Sequence, residues 1–293
     1  VLSNPHAKKV IEAFSSLDLL VFRDLFLTES AKLAHYILPA ASFLERSELH
    51  FHSYRQMVTM STQVLEIPGV QTEYEFWHEL AHRLGLGESY FPWEKEEDAL
   101  KWILEPTGIG IDELKKHPQG FVYRPMKYKK YRSRPFPTPS GKYEFASMTL
   151  KQMGYPEVPE YQAPAYLEQP DSEYPLVLIT GARLPLYLHS RYRNIERFKK
   201  VVSEPGVEIH PQDAKRLGIE DGERVRVISE IGAVEVKTEI TQENAILPGV
   251  VQISHGWDEA NVNLLTDDRQ LDPISGFPNL KLVPVKIERK TSE

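Results

Sequence analysis

The chain has 293 residues, 41% hydrophobic and 26% charged, with a formal net charge of −7. That length suits two domains, no apolar run approaches the roughly 20 residues of a membrane helix, and an acidic balance opposes non-specific nucleic-acid binding. The absence of cysteine excludes disulfides, a cysteine nucleophile, a thiolate zinc site and an iron–sulfur cluster held by these residues alone.

The N-terminus, VLSNPHAKKV, carries no apolar core of signal-peptide type and starts at Val1, which reads as a fragment or an unusual start. A cytoplasmic setting is the expectation, with a targeting signal on a preceding segment as the alternative. An amphipathic helix is expected around Ala7 to Ser15, followed by a buried strand from Leu17 to Arg23, an αβ step. Thr28 is placed to cap a short second helix, and the apolar segment after it stops at Pro39. From Glu73 to Leu84, Phe76, Trp77, Leu80, Ala81 and Leu84 form a helical stripe that Gly85 terminates.

Proline and tyrosine crowd residues 124 to 175, which disfavours regular elements and predicts an ordered connector. Beyond Glu173 come short strand patterns, LVLIT, VEIH, ERVRVIS, AVEVKTEI and VVQIS, with turns at Gly222, Gly232 and Gly249. A small barrel is expected, interrupted by one helix with Pro211 at its first position, Leu217 on its core side and Gly218 closing it. The predicted division is 1–123, a partial α/β domain with a helical insertion; 124–173, the connector; and 174–293, the barrel.

Three constellations bear on chemistry. His78, Glu79 and His82 match the HExxH zinc-protease spacing, with Glu88 as a conceivable third ligand, against the plainer reading of an ordinary amphipathic helix. After the first barrel strand, Thr180, Gly181, Ala182 and Arg183 precede His189, Ser190, Arg191, Tyr192 and Arg193. Such glycine, hydroxyl and guanidinium groups suit a pyrophosphate, whereas the plain reading leaves Arg191, Arg193 and Arg197 facing water. The run from His255 to Gly276 offers one aromatic among amides and acids, a loop suited to a polar heterocycle or simply a solvated loop stiffened by Pro273. No P-loop or GxSxG elbow occurs, and Gly108-Ile109-Gly110 lacks the rest of a dinucleotide fingerprint.

In this order the segments resemble the C-terminal half of the dimethyl-sulfoxide-reductase superfamily of molybdopterin oxidoreductases, over nearly the whole chain. SNPHAKKVIEAF and TESAKLAHYILPAASFLE resemble the family's later Rossmann-like domain, EFWHELAHRLGL a helix that makes the HExxH match coincidental, and PFPTPSGKYEF its connector. The strings VLITGARLPLYLHSRYRN, VEIHPQDAKRLGIEDGERVRV, PGVVQISHGW and DPISGFPNLK resemble the molybdopterin-dinucleotide-binding domain, in that family a six-stranded double-psi β-barrel.

The resemblance implies a bis-(molybdopterin guanine dinucleotide) cofactor with Mo or W. Thr180, Gly181, Arg183, His189, Ser190 and Arg191 would cradle its phosphates and nearby pterin oxygens. His255, Gly256 and Trp257 would line the pterin, Asn261 and Asn263 would bond its heteroatoms, and Lys281 would approach a carbonyl or phosphate. Asp272 would orient its loop or accept from the guanine edge, and Asn4 and Thr28 would border the second pterin.

The resemblance also places the metal ligand and the iron–sulfur cysteines upstream, on an N-terminal half or a separate subunit, with an electron-transfer subunit as a further partner. The chain alone is then not expected to turn over substrate. His35 stands where an Asp is common, and ERSELHFHSYR replaces a Gly-rich, Asn-containing run, departures that lower the expectation of a nitrate or formate enzyme. FLER looks more like sulfur-compound reductases and hydratase-like tungsten branches. An independent zinc peptidase and a barrel serving as a protein-interaction module remain the alternative functions.

Overall fold

Alternating apolar and polar residues in the C-terminal part close into a barrel. The computed structural model describes residues 1–161, 163, 173–181, 184–269 and 271–290. Its strands in chain order are β1 (Val21–Asp24), β2 (Tyr36–Pro39), β3 (Glu48–His52), β4 (Met57–Ser61), β5 (Phe121–Val122), β6 (Leu176–Ile179), β7 (Gly206–Ile209), β8 (Arg224–Ile228), β9 (Ala233–Ile240), β10 (Val250–Ile253) and β11 (Val283–Arg289). Two compact units form: Val1–Leu20, Thr28–Ala34 and Tyr161–Glu293 make one, Val21–Leu27 and His35–Glu160 the other.

In the first unit six strands close in the order β10-β6-β11-β8-β9-β7. The β10–β6 and β7–β9 pairs are parallel and the other four antiparallel. Every second residue points inward, so Val225 and Val227, Val234 and Val236, Val251 and Ile253, and Val285 and Ile287 fill the interior with Leu178, Val207 and Ile209. Each such side chain contributes roughly 1.5–3 kcal/mol on burial. The five strands expected from sequence are all present; β11 is an addition, with Pro284 at an outward position of its VPVKIER alternation.

The Pro211–Leu217 helix has Pro at its start, His210 capping through Nδ1 to the Gln212 amide at 3.1 Å, and Gly218 at φ 66°. Leu217 packs against the barrel core. Asp213, buried on this helix, accepts from the Gly249 amide at 2.6 Å and so ties the helix to the turn before β10.

The N-terminal residues belong to this barrel unit and not to the α/β segment that follows them in sequence. The amide of Asn263 donates to the Leu2 carbonyl at 2.7 Å, and the His6 amide donates to the Thr266 carbonyl at 3.0 Å. The Ala7–Ser15 helix forms as expected. The strand expected at Leu17–Arg23 begins only at Val21, and Leu17 and Leu19 are exposed, because the helix ends at Ser15 and a connecting stretch follows. Thr28 does not cap a helix through its side chain. A single 3-10 turn, Ala31–Leu33, follows Ser30, and Thr28 supplies only a backbone carbonyl to the Ala31 amide.

In the second unit β1 and β2 pair in parallel, and β3, β4 and β5 form an antiparallel sheet in chain order. Val58 of β4 meets Leu104, Ile111 and Leu114 in a small core. The Glu73–Arg83 helix starts in a capping box, Thr72 Oγ1 accepting from the Glu75 amide and Glu75 from the Thr72 amide. It ends in a Schellman motif: the Leu86 amide bonds the Ala81 carbonyl at 2.8 Å, with Gly85 at φ 74°. Its stripe is only partly covered, since Trp77 and Leu84 are exposed. Among the described residues no helix is long and apolar enough to cross a membrane.

Candidate functional site

One end of the barrel gathers the residues that follow β6 and β10 and precede β11. Thr180, directly after β6 and 2% exposed, is spent on structure: its amide and Oγ1 donate to the Leu280 carbonyl at 3.1 and 2.9 Å. These bonds bring Lys281 beside Gly181, where a Cβ on the glycine would lie 3.0 Å from the lysine Cε. Gly181 and Lys281 are both solvent-exposed. Arg183 lies outside the described residues.

The Thr180 carbonyl accepts from His255 Nδ1 at 2.9 Å. That bond places the proton on Nδ1 in the neutral ring and leaves Nε2 as the acceptor. Nε2 is buried and has no hydrogen-bond partner among the described residues. The His255 ring lies 4.3 Å, centroid to centroid, from His189.

His189 opens a tight turn in which the Arg191 amide donates to the Leu188 carbonyl at 3.0 Å. His189 and Tyr192 both hold left-handed backbone, φ 55° and 71°, a conformation that costs about 1–3 kcal/mol for each such residue. Gly256 seats against this turn at φ 99°, and a Cβ there would lie 2.3 Å from the His189 carbonyl carbon. Only glycine fits so close an approach. Ser190 is partly buried, whereas Arg191 is exposed.

Trp257, 4% exposed, meets Tyr187 edge-on at 5.2 Å, and Tyr187 donates to the Val202 carbonyl at 2.7 Å. Burial pushes the Tyr187 hydroxyl above its usual pKa. Asn261 and Asn263 are buried and engaged within the fold: Asn261 Oδ1 accepts from the Asn263 amide at 3.1 Å, and Asn263 Oδ1 accepts from Thr266 Oγ1 at 3.0 Å. Asp272 orients its own loop, accepting from Ile274 and Ser275 amides at 3.1 and 2.6 Å and from the Ser275 hydroxyl at 2.8 Å. These bonds hold its carboxyl below the usual range. Asn4 is exposed and Thr28 partly buried in the same unit.

Thus Thr180, Gly181, His189, His255, Gly256 and Lys281 are joined by direct contacts, with Ser190 and Arg191 on the same turn. Arg193, which the plain reading leaves facing water, is instead 14% exposed at its side chain and bonds Gly256 and Glu29. No sequence pattern distinguishes it from the neighbouring arginines. The donor set fits a polyanionic heterocycle: backbone glycines for close approach, a hydroxyl, cationic side chains, and a buried ring nitrogen able to accept from a heterocycle N–H.

The HExxH residues are engaged otherwise. His82 Nε2 contacts the Phe91 carbonyl at 3.2 Å, Glu79 pairs with Arg83 at 2.5 Å, and the Gln71 amide donates to Glu79 at 3.0 Å. Among the described residues the one three-ligand grouping is His6, Asp267 and Asp268, elsewhere in the chain, so the zinc reading is unsupported. In that grouping Lys9 pairs with Asp268 and Arg269 with Asp267, and the contacts of Lys9 and then His6 hold the Asp268 carboxyl at a pKa of about 2.

Residues 176–284 match the molydopterin dinucleotide binding domain, and residues 1–83 match the molybdopterin oxidoreductase family. The chain belongs to the molybdopterin oxidoreductases. It is 34% identical over 99% of its length to the F420-dependent formate dehydrogenase subunit alpha of Methanocaldococcus jannaschii, covering 42% of that protein. It is 30% identical over 94% of its length to the acetylene hydratase of Syntrophotalea acetylenica, covering 40% of it. The solved acetylene hydratase from Pelobacter acetylenicus superposes with a TM-score of 0.85 at 27% identity, over 98% of this chain and 42% of that one. The chain therefore spans about two fifths of the length of these relatives. A formate enzyme and a hydratase stand side by side among them, so the departures at His35 and residues 45–55 do not set formate enzymes apart.

Proposed function

We propose that this chain is the cofactor-gripping C-terminal part of a Mo- or W-dependent oxidoreductase or hydratase, binding the dinucleotide portions of a bis-(molybdopterin guanine dinucleotide). The observation that carries the reading is His255, anchored through Nδ1 to the Thr180 carbonyl next to Gly181 while its buried Nε2 keeps its hydrogen-bonding capacity. In this reading the barrel has double-psi topology and β1–β2 belong to a partial Rossmann-like domain.

When bound, such a cofactor supplies the metal centre at which substrate reacts. The chain's own residues bind and orient. Ser190, Arg191 and Lys281, with Arg183, hold phosphate oxygens, since guanidinium and ammonium donors make charge-assisted bonds to them. Gly181 and Gly256 keep the backbone close, and His255 Nε2 accepts from a pterin N–H. Asn261, Asn263, Trp257 and Thr180 act one layer behind, setting the loops on which those groups stand. Asp272 shapes the loop before Lys281, and Thr28 and Asn4 border the second pterin.

The metal ligand and the iron–sulfur cluster are assigned to the part of the relatives' length outside this sequence, along with any contact to an electron-transfer subunit. Produced together with that part, the protein should purify with Mo or W and with pterin. Arg191→Ala should weaken retention of the dinucleotide by roughly 2–5 kcal/mol, as expected for a desolvated charge-assisted contact. Metal and pterin analysis finding stoichiometric zinc, or neither pterin nor metal, would overturn the reading.

A further inference from the structure

We propose that Arg193 is a positioning residue that locks three segments of the cofactor site in one register; the inference rests on the cofactor reading above. The turn at residues 188–193 carries Ser190 and Arg191, the loop at 255–259 carries His255 and Gly256, and the segment at 28–34 carries Thr28. All three converge on one guanidinium. Arg193 Nη1 donates to the Gly256 carbonyl at 2.5 Å, Nη2 donates to Glu29 Oε1 at 2.9 Å, and Glu259 Oε2 lies 3.7 Å from Nη1. The guanidinium carbon sits 5.3 Å from the centre of the Trp257 ring.

The chemistry of the side chain makes it the natural clamp. A planar fork can bond two acceptors in different directions while its face rests on an indole, which the point charge of a lysine cannot do. The Arg193–Glu29 pair is shielded, with side chains 14% and 16% exposed, so removing either partner leaves a charge poorly solvated. The second link between the same segments, Lys32 to Asp258 at 2.8 Å, is exposed and contributes little.

The geometry also needs a clamp. His189 and Tyr192 hold left-handed backbone, and Gly256 is wedged against His189. Strained turns persist only where their surroundings over-determine them. Arg193 follows Tyr192 directly and fastens the turn to the carbonyl of the very glycine that abuts it. It therefore fixes how the groups expected to touch phosphate stand relative to His255, without touching the ligand itself.

The test uses the full chain and GDP as the probe, titrated by calorimetry, with near-ultraviolet circular dichroism reporting the Trp257 environment against a Trp257→Phe control. Arg193→Gln should lower GDP affinity at least about tenfold and alter the Trp257 band while the far-ultraviolet spectrum of the barrel stays the same. Arg193→Lys, which keeps the charge and loses the fork, should recover only part of the affinity. If Arg193→Gln does not fold, Glu29→Gln, which leaves the Gly256 bond in place, should shift the affinity in the same direction. Wild-type affinity in Arg193→Gln or Glu29→Gln, even with a lower melting temperature, would overturn the clamp while leaving the cofactor reading intact. A wild-type chain that does not bind GDP would overturn both, through the cofactor reading on which the clamp depends.

Discussion

Asn263 and Leu2, separated by 261 positions in the chain, are joined by a buried hydrogen bond from the asparagine side-chain amide to the leucine carbonyl at 2.7 Å. Thr266 completes the amide's bonding by donating to Asn263 Oδ1. The N-terminal residues are in this way stitched to the loop that follows β10.

Removing that amide should release the N-terminus from the barrel. Asn263→Ala leaves the Leu2 carbonyl without its side-chain donor in a buried place, a cost of about 1–3 kcal/mol, while the Thr266 hydroxyl keeps the backbone carbonyl of residue 263 at 3.3 Å. Urea denaturation should show the loss, and hydrogen exchange should rise in residues 1–16 more than in β8 and β9. Uniform exchange across the unit would show that the bond does not hold the segment.

Gly256→Ala tests the contact with His189. The added Cβ would meet the His189 backbone at 2.3–2.8 Å, on a residue already at φ 99°. A loss of about 2 kcal/mol or more in stability is expected, together with a changed Trp257 signal. The control is Gly249→Ala, at a site that also holds positive φ but has open space around it, and it should cost less.

The zinc reading makes an opposite forecast for His78 and His82. Since His82 is engaged with Phe91 and Glu79 with Arg83, His78→Ala and His82→Ala should leave the metal content of the purified protein unchanged. Elemental analysis that finds zinc lost in step with either histidine would revive it.

Glu208 on β7 gives a pH dependence of known sign. Burial, then repulsion from Glu239, pushes its carboxyl above the ordinary 4.5, while the Gln252 amide donates to it. A carboxyl raised in the folded state contributes stability below its unfolded pKa, and that contribution is lost as pH rises through the folded value. Glu208→Gln keeps an acceptor for Gln252 and removes the charge. It should therefore raise the melting temperature at pH 7 and lose that advantage near pH 4. A gain that persists at pH 4 would point to packing instead of charge.

Legibility in the sequence follows how local each cause is. Strands β7 to β10 are readable because their inward residues alternate and glycines mark the turns, β6 because it is a short continuous apolar run, and the Pro211–Leu217 helix carries its own start and stop. The last strand is not, since Pro284 cannot donate a ladder bond and so argues against a strand, although it takes an outward place in an alternation that the barrel keeps. The Glu48–His52 and Met57–Ser61 hairpin goes unread because polar side chains such as His50 and Thr59 fill it. At the site, the conjunction of Gly181, His189, His255 and Lys281 follows the order of the motifs, but the burial of Arg193 depends on Glu29 and Gly256 arriving from distant segments. No spacing rule records that.

Strand β6 lies between β10 and β11 in the barrel. As the polypeptide emerges from the ribosome, β6 therefore has no barrel neighbour to pair with until β10 (Val250–Ile253) has been made. Its apolar LVLI stretch waits as an unsatisfied edge while β7, β8 and β9 can already associate. The barrel thus closes only when β11 arrives between β6 and β8, and a polypeptide stopped short of β11 would be an aggregation hazard with an open barrel.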